Sequence, residues 1–139
     1  MNNLILIMFF TVVIIGITLL IVISLTRRGG GKTLDQQKYR TRWLEITQNA
    51  GSTPETWQFA IMSADKLLDS ALRDRGVAGE TLGERLKNAK PYLSNLDSVW
   101  RAHKLRNRIA HDDGVKVSQR QAGEALKIFK RALTDLGAL

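Results

Sequence analysis

The sequence predicts an all-α protein: one apolar N-terminal helix able to span a membrane, followed by a small antiparallel bundle of four to five helices. Three observations predict it. From Leu4 to Leu25 there are twenty-two residues without a charge. Beyond them, apolar residues recur at helical spacing between recognisable start and stop signals. The two prolines, Pro54 and Pro91, and the eleven glycines fall mainly at breaks between those runs rather than inside alternating strands.

The apolar run comes first. At 1.5 Å per residue it reaches about 33 Å, enough for a hydrocarbon core of about 30 Å. Its only interruptions, Thr11, Gly16, Thr18 and Ser24, are tolerated inside a membrane helix. No lysine or arginine precedes it, whereas Arg27, Arg28 and Lys32 follow at once. The positive-inside rule therefore puts residues 1–3 outside and the remainder in the cytoplasm, with residues 4–32 meeting membrane lipid and those three cations meeting headgroups. A cleaved signal peptide would need a basic start, a shorter apolar stretch and a small-residue cleavage pattern, none of which is present. A soluble core helix apolar on every face would need a larger partner layer than this chain supplies.

Residues 26–33 read as a basic, Gly-rich linker. Gly29-Gly30-Gly31-Lys32-Thr33 ends like a phosphate-binding loop, but Thr26 stands where that motif requires its first glycine, and no strand precedes it.

Residues 34–139 form the cytoplasmic domain in this reading. A first helix from about Leu34 to Asn49 carries Tyr39, Trp43 and Ile46 and stops at Ala50-Gly51. Ser52-Thr53-Pro54-Glu55 opens the second with a capping hydroxyl, a first-turn proline and an acid for the helix dipole. Its stripe of Trp57, Ala60, Ile61, Ala64, Leu67, Leu68, Ala71 and Leu72 must be buried, and Gly76 ends it. Thr81 and Glu84 have capping-box spacing for a short third helix bearing Leu82 and Leu86, closed by Pro91. A fourth runs from about Leu96 to His111. The last opens on Ser118 and Gln121, again with capping-box spacing, and presents Ala122, Ala125, Leu126, Phe129 and Leu133.

The formal charge of +8 is unevenly spread, with +5 in residues 27–42 and +3 in 43–139. Most of the excess thus lies beside the apolar run, where it faces lipid before it faces a polynucleotide. The absence of cysteine excludes a disulfide framework and a thiolate metal site.

The stretch from Trp100 to His111 carries the candidate chemistry. At 100° per residue, Val99, Ala102, Leu105, Ile109 and Ala110 share an arc facing the core, while Arg101, Lys104 and Arg108 point away, either toward RNA phosphates or simply into solvent. Arg106 falls inside the apolar arc. Its guanidinium needs an acid or a phosphate, or must reach out to an opening; within the fold Asp65 on the flank of the second helix is the first candidate partner, Asp69 the second. His103, Asn107 and His111 occupy the adjacent face with Trp100 beside them. An imidazole, an amide and a nearby cation suffice for acid/base work on a phosphodiester. Each residue also has a plainer reading. Arg106 forms a structural ion pair, His111 stabilises a helix end, His103 is a partly buried packing residue, and the tryptophans and Phe129 belong to the core or an interface. Metal binding through His103, His111, Asp112 and Asp113 lacks a recognisable third-ligand spacing, and neither metal nor cofactor is expected.

Arg106-Asn107 followed by His111 resembles the signature of HEPN domains, an arginine and a polar residue followed after a short spacer by histidine, late in the penultimate helix of a small bundle. The likeness covers about residues 54–137, and Ala64-Asp65-Lys66-Leu67-Leu68-Asp69 and Thr81-Leu82-Gly83-Glu84-Arg85-Leu86 also resemble membrane-anchored bacterial members. The resemblance implies a homodimer formed through this helix, with Arg106 and His111 of two chains lining one cleft. In active members such a pair supports metal-independent RNA cleavage. Here His111 would move the proton, Arg106 would steady the developing phosphate charge, and Asn107 would orient the base or hold phosphate. Other members bind RNA or nucleotide, or only dimerise. The expectation for this chain is a dimerising module that binds RNA or nucleotide at the membrane, with an endoribonuclease and a purely structural scaffold as the alternatives.

Overall fold

The computed structural model describes residues 2–27 and 32–139, with side chains over 5–22 and 32–139. The side chain of Arg27, the whole of Arg28 and the glycines of the linker lie outside the described residues; Lys32 is exposed. Two units result, Met1–Gly31 and Lys32–Leu139. Every regular element among the described residues is helical.

The first unit is helix α1, Asn2–Arg27. Its window Ile5–Val22 has a mean hydropathy of 3.2 and no buried residue, so it is long and apolar enough to cross a membrane. Thr11 and Thr18 donate their hydroxyls to the carbonyls of Ile7 and Ile14, which satisfies them without water.

The second unit holds α2 (Gln36–Gln48), α3 (Pro54–Asp74), α4 (Leu82–Asn88), α5 (Leu96–His111) and α6 (Gln119–Asp135). The starts of α3 and α6 follow the anticipated caps, while Asp35 and Asn95 cap α2 and α5 without having been anticipated. Thr53 accepts from the Thr56 amide with Pro54 in the first turn, and Ser118 and Gln121 form a reciprocal capping box. At α4 the box is incomplete: Thr81 accepts from the Glu84 amide, but the Glu84 carboxylate accepts from the Glu80 amide at 2.7 Å. Backbone donors at that carboxylate, Glu80 first, hold its pKa below the ordinary value. Helix α3 stops where Gly76 takes φ +89°, letting the Val77 amide reach back to the Leu72 carbonyl at 2.9 Å.

Helix α3 is the hub, packing against α2, α4, α5 and α6, whereas α2 packs on no other helix among the described residues. Its stripe of Ile61, Ala64, Leu68 and Leu72 is fully buried against Phe129 and Leu133 of α6, Leu86 of α4 and Tyr39 of α2, whereas Trp57 and Leu67, expected in the same stripe, are only half-buried at its edges. Truncating one of these leucines to alanine costs about 2–5 kcal/mol in a core of this kind. The Tyr39 hydroxyl donates to Asp74 Oδ2 at 2.7 Å and locks α2 to the far end of α3. That bond is the first cause holding Asp74 below the usual carboxylate range; burial, then Asp74 itself, push the Tyr39 hydroxyl upward.

Candidate functional site

The site is built where α5 crosses α3. Each helix buries an apolar stripe on the other, so polar residues at the stripe's edge are brought together under a low dielectric. Asp65 of α3 is 3% exposed and His103 of α5 is 8% exposed. His103 Nδ1 lies 2.8 Å from Asp65 Oδ1, and Arg106 Nε lies 3.3 Å from Asp65 Oδ2. The Arg106 contact is an ion pair without a hydrogen bond at Nε.

Asn107 closes the network. Arg106 Nη1 donates to Asn107 Oδ1 at 3.0 Å, which turns the amide nitrogen toward His103 Nε2 at 3.3 Å. With Nε2 accepting from the amide, the proton belongs on Nδ1, where it is donated to Asp65. The indole of Trp100 meets the His103 ring edge-on, with centroids 5.9 Å apart and planes at 67°. Gly83 of α4 lies against both rings, and a Cβ there would sit 3.8 Å from each.

These groups face an open cleft of about 890 Å³ whose lining includes Asp65, Lys66, Thr81, His103, Arg106 and Asn107. The Arg106 side chain is 31% exposed. It is therefore both ion-paired to an interior acid and open to the cleft, two readings the sequence set against each other. A second acid in the lining, Asp69, is the partner of the buried Arg85 at 3.1 Å rather than of Arg106. Lys66 makes no ion pair among the described residues, so it is the cation left over in a lining whose other charges are matched.

No family model, curated protein or solved structure matches the chain.

The structure therefore gathers Asp65, His103, Arg106, Asn107 and Trp100 from the sequence-derived candidates. It does not bring His111 to them within one chain. His111 is exposed at the last residue of α5, where the helix dipole favours a cation. Arg101, Lys104 and Arg108 are exposed as expected; Arg101 donates to Ser98 at 2.7 Å, and Arg108 lies 3.9 Å from Asp112. The expected core arc of α5 needs one correction. Val99 and Ala102 are buried and Leu105 and Ile109 half-buried, but Ala110 is exposed: it lies at the edge of the arc, about 100° round the helix from Ile109, which still packs against the core.

Sequence reasoning passed over Phe59 and Met62. Both are exposed, at 65% and 37%, and both line the cleft. They lie three residues apart on α3, off the buried stripe. A large apolar pair at that spacing with no place in the core is the signal that could have found them.

Proposed function

We propose that the chain is a membrane-anchored helical module of HEPN type that pairs with a second copy across its α3–α5 face and binds RNA or nucleotide phosphate at Arg106. The apolar helix α1 serves as the anchor. The basic residues at and just after its C-terminal end, Arg27, Arg28 and Lys32, orient it with its N-terminus outside and the bundle in the cytoplasm.

One observation carries the reading: the Arg106 guanidinium is braced on two sides, by Asp65 and by Asn107, at the wall of an open cleft. Its Nη2 donors have no partner among the described residues, and a guanidinium fixed in this way loses little rotamer entropy when it forks onto a phosphate. Lys66 adds an unmatched positive charge in the same lining. Pairing is supported by Phe59 and Met62, since large exposed apolar side chains beside a cleft mark surfaces that another chain covers. His111 lies elsewhere on the same chain, and the buried His103 already spends both ring nitrogens on Asp65 and Asn107. Binding without turnover is accordingly preferred to cleavage, which would need His111 from a second copy.

The test incubates the detergent-solubilised chain with single-stranded RNA in EDTA, with light scattering on the same sample. The expected outcome is a dimer that retains intact RNA and becomes monomeric in Phe59→Ser. Cleavage abolished by His111→Ala with helicity unchanged would establish the endoribonuclease instead. A monomer that ignores RNA would reduce the chain to a tethered scaffold.

A further inference from the structure

Helices α2 and α3 enclose a second groove of about 550 Å³, on the other side of the α3 ridge from the Arg106 cleft and sharing with it only the ridge residues Phe59, Ser63 and Lys66. Its walls bring cations from both helices, Lys38 and Arg42 from α2, Lys66 and Arg73 from α3. Two carboxylates oppose these four. Asp74 is shared by Lys38 at 3.2 Å and Arg73 at 3.9 Å, and Glu45 stands on the α2 wall. Arg42 and Lys66 make no ion pair among the described residues, so the groove keeps a positive surplus. The lining also carries apolar surface, on the half-buried Ile46 and Leu67 and on the exposed ring of Phe59, with the buried Tyr39 behind them.

Cations beside apolar surface match a ligand that is anionic at one end and hydrocarbon at the other. Neither a free phosphate nor a polynucleotide backbone would use the apolar part. The sequence supplies the reason to commit to one source. Only eight residues separate the end of α1 at Arg27 from the start of α2 at Gln36. For a chain anchored through α1, lipid headgroups are then the anions at highest local concentration, on the leaflet whose negative potential draws basic segments. We propose that the α2–α3 groove binds an anionic phospholipid, its phosphate among Arg42, Lys66 and Arg73 and its glycerol and first acyl carbons on Ile46, Leu67 and Phe59. This rests on the membrane reading of α1; Lys66 and Phe59 are shared with the Arg106 cleft, whereas Arg42 and Arg73 line this groove alone and carry the test.

The test reconstitutes the full chain in phosphatidylcholine nanodiscs carrying a minority of phosphatidylglycerol with a photoactivatable group near the start of one acyl chain, and maps adducts by mass spectrometry. Adducts are expected on residues 38–46 and 59–73. Arg42→Gln combined with Arg73→Gln, two exposed positions outside the Arg106 cleft, should lower their yield roughly tenfold, while the paired change to lysine retains it. Circular dichroism of each variant separates lost binding from lost folding. Adducts unaffected by the glutamine pair, or confined to residues before 33, would overturn the proposal. So would displacement by soluble glycerol phosphate or by single-stranded RNA, which would reassign the groove to those ligands. A chain that does not stay with the discs defeats the membrane reading itself, and is seen separately as its absence from the disc fraction.

Discussion

Replacing Asp65 by alanine removes the carboxylate on which the α3–α5 crossing depends. In the folded protein that group accepts from His103 at 2.8 Å and lies 3.3 Å from the Arg106 guanidinium, with only 3% of its surface exposed. Without it the His103 N–H, on a ring 8% exposed, has no acceptor. An orphaned buried donor costs about 1–3 kcal/mol. Arg106, 31% exposed, turns to water and adds less, about 1 kcal/mol once solvent screening is allowed for. The expected loss is about 2–4 kcal/mol, or, at about 4 °C per kcal/mol for a domain of this size, a fall in Tm of about 8–16 °C. Asp65→Asn keeps an acceptor for His103 and should lose about 1 kcal/mol. Thermal unfolding followed by circular dichroism on the detergent-solubilised chain measures both. Adding His103→Ala to Asp65→Ala should cost less than the sum of the two single changes by about 1–3 kcal/mol, since the residues are in contact. A Tm for Asp65→Ala within the range of ordinary surface substitutions, about 0.5 kcal/mol, would refute the reasoning.

Two further outcomes follow from other parts of the bundle. Gly83→Ala should stabilise the domain by about 0.5 kcal/mol, because a methyl replaces glycine in a helix and meets His103 and Trp100 at the ordinary contact distance of 3.8 Å; a lowered Tm would show that the cleft wall is tighter than this. Tyr39→Phe should cost about 1–2 kcal/mol and change the pH dependence at both ends. Asp74 has a depressed folded pKa, so its contribution is present above the unfolded value and is lost as pH falls through the folded one; the variant should show a shallower acid limb. Tyr39 has a raised pKa, so its contribution is full below the ordinary value of 10.0 and is lost as pH climbs past it; the variant should lose that alkaline component. Urea denaturation across pH checks both limbs.

The elements legible in the sequence were those set by local chemistry. Thr53 with Pro54, Ser118 with Gln121, and Gly76 mark helix ends through interactions completed within a turn, and the structure places them as the spacing implied. The stripe of α3 was legible because burial imposes one period along the whole helix. Asp65 could be named as the partner of Arg106 because an acid at the edge of a buried stripe needs a cation. The claim of His103 on the same carboxylate could not be read, since it depends on how far α5 is rotated against α3, a tertiary quantity with no local signal. The Asp69 pair with the buried Arg85 was missed for the same reason: the short helix α4 is positioned by packing rather than by its own sequence. Phe59 stayed invisible because a periodicity search rewards residues that fit the stripe and passes over the one that does not.

The most direct measurement of the central claim is a fluorescence anisotropy titration of labelled single-stranded RNA with the detergent-solubilised chain, native and Arg106→Gln, across a range of salt concentrations. A braced guanidinium that binds phosphate predicts affinity at least roughly tenfold weaker in the variant, with the slope of log affinity against log salt reduced by about one. Equal affinity and equal slope for the two proteins would contradict it, and would leave Arg106 as no more than the internal partner of Asp65.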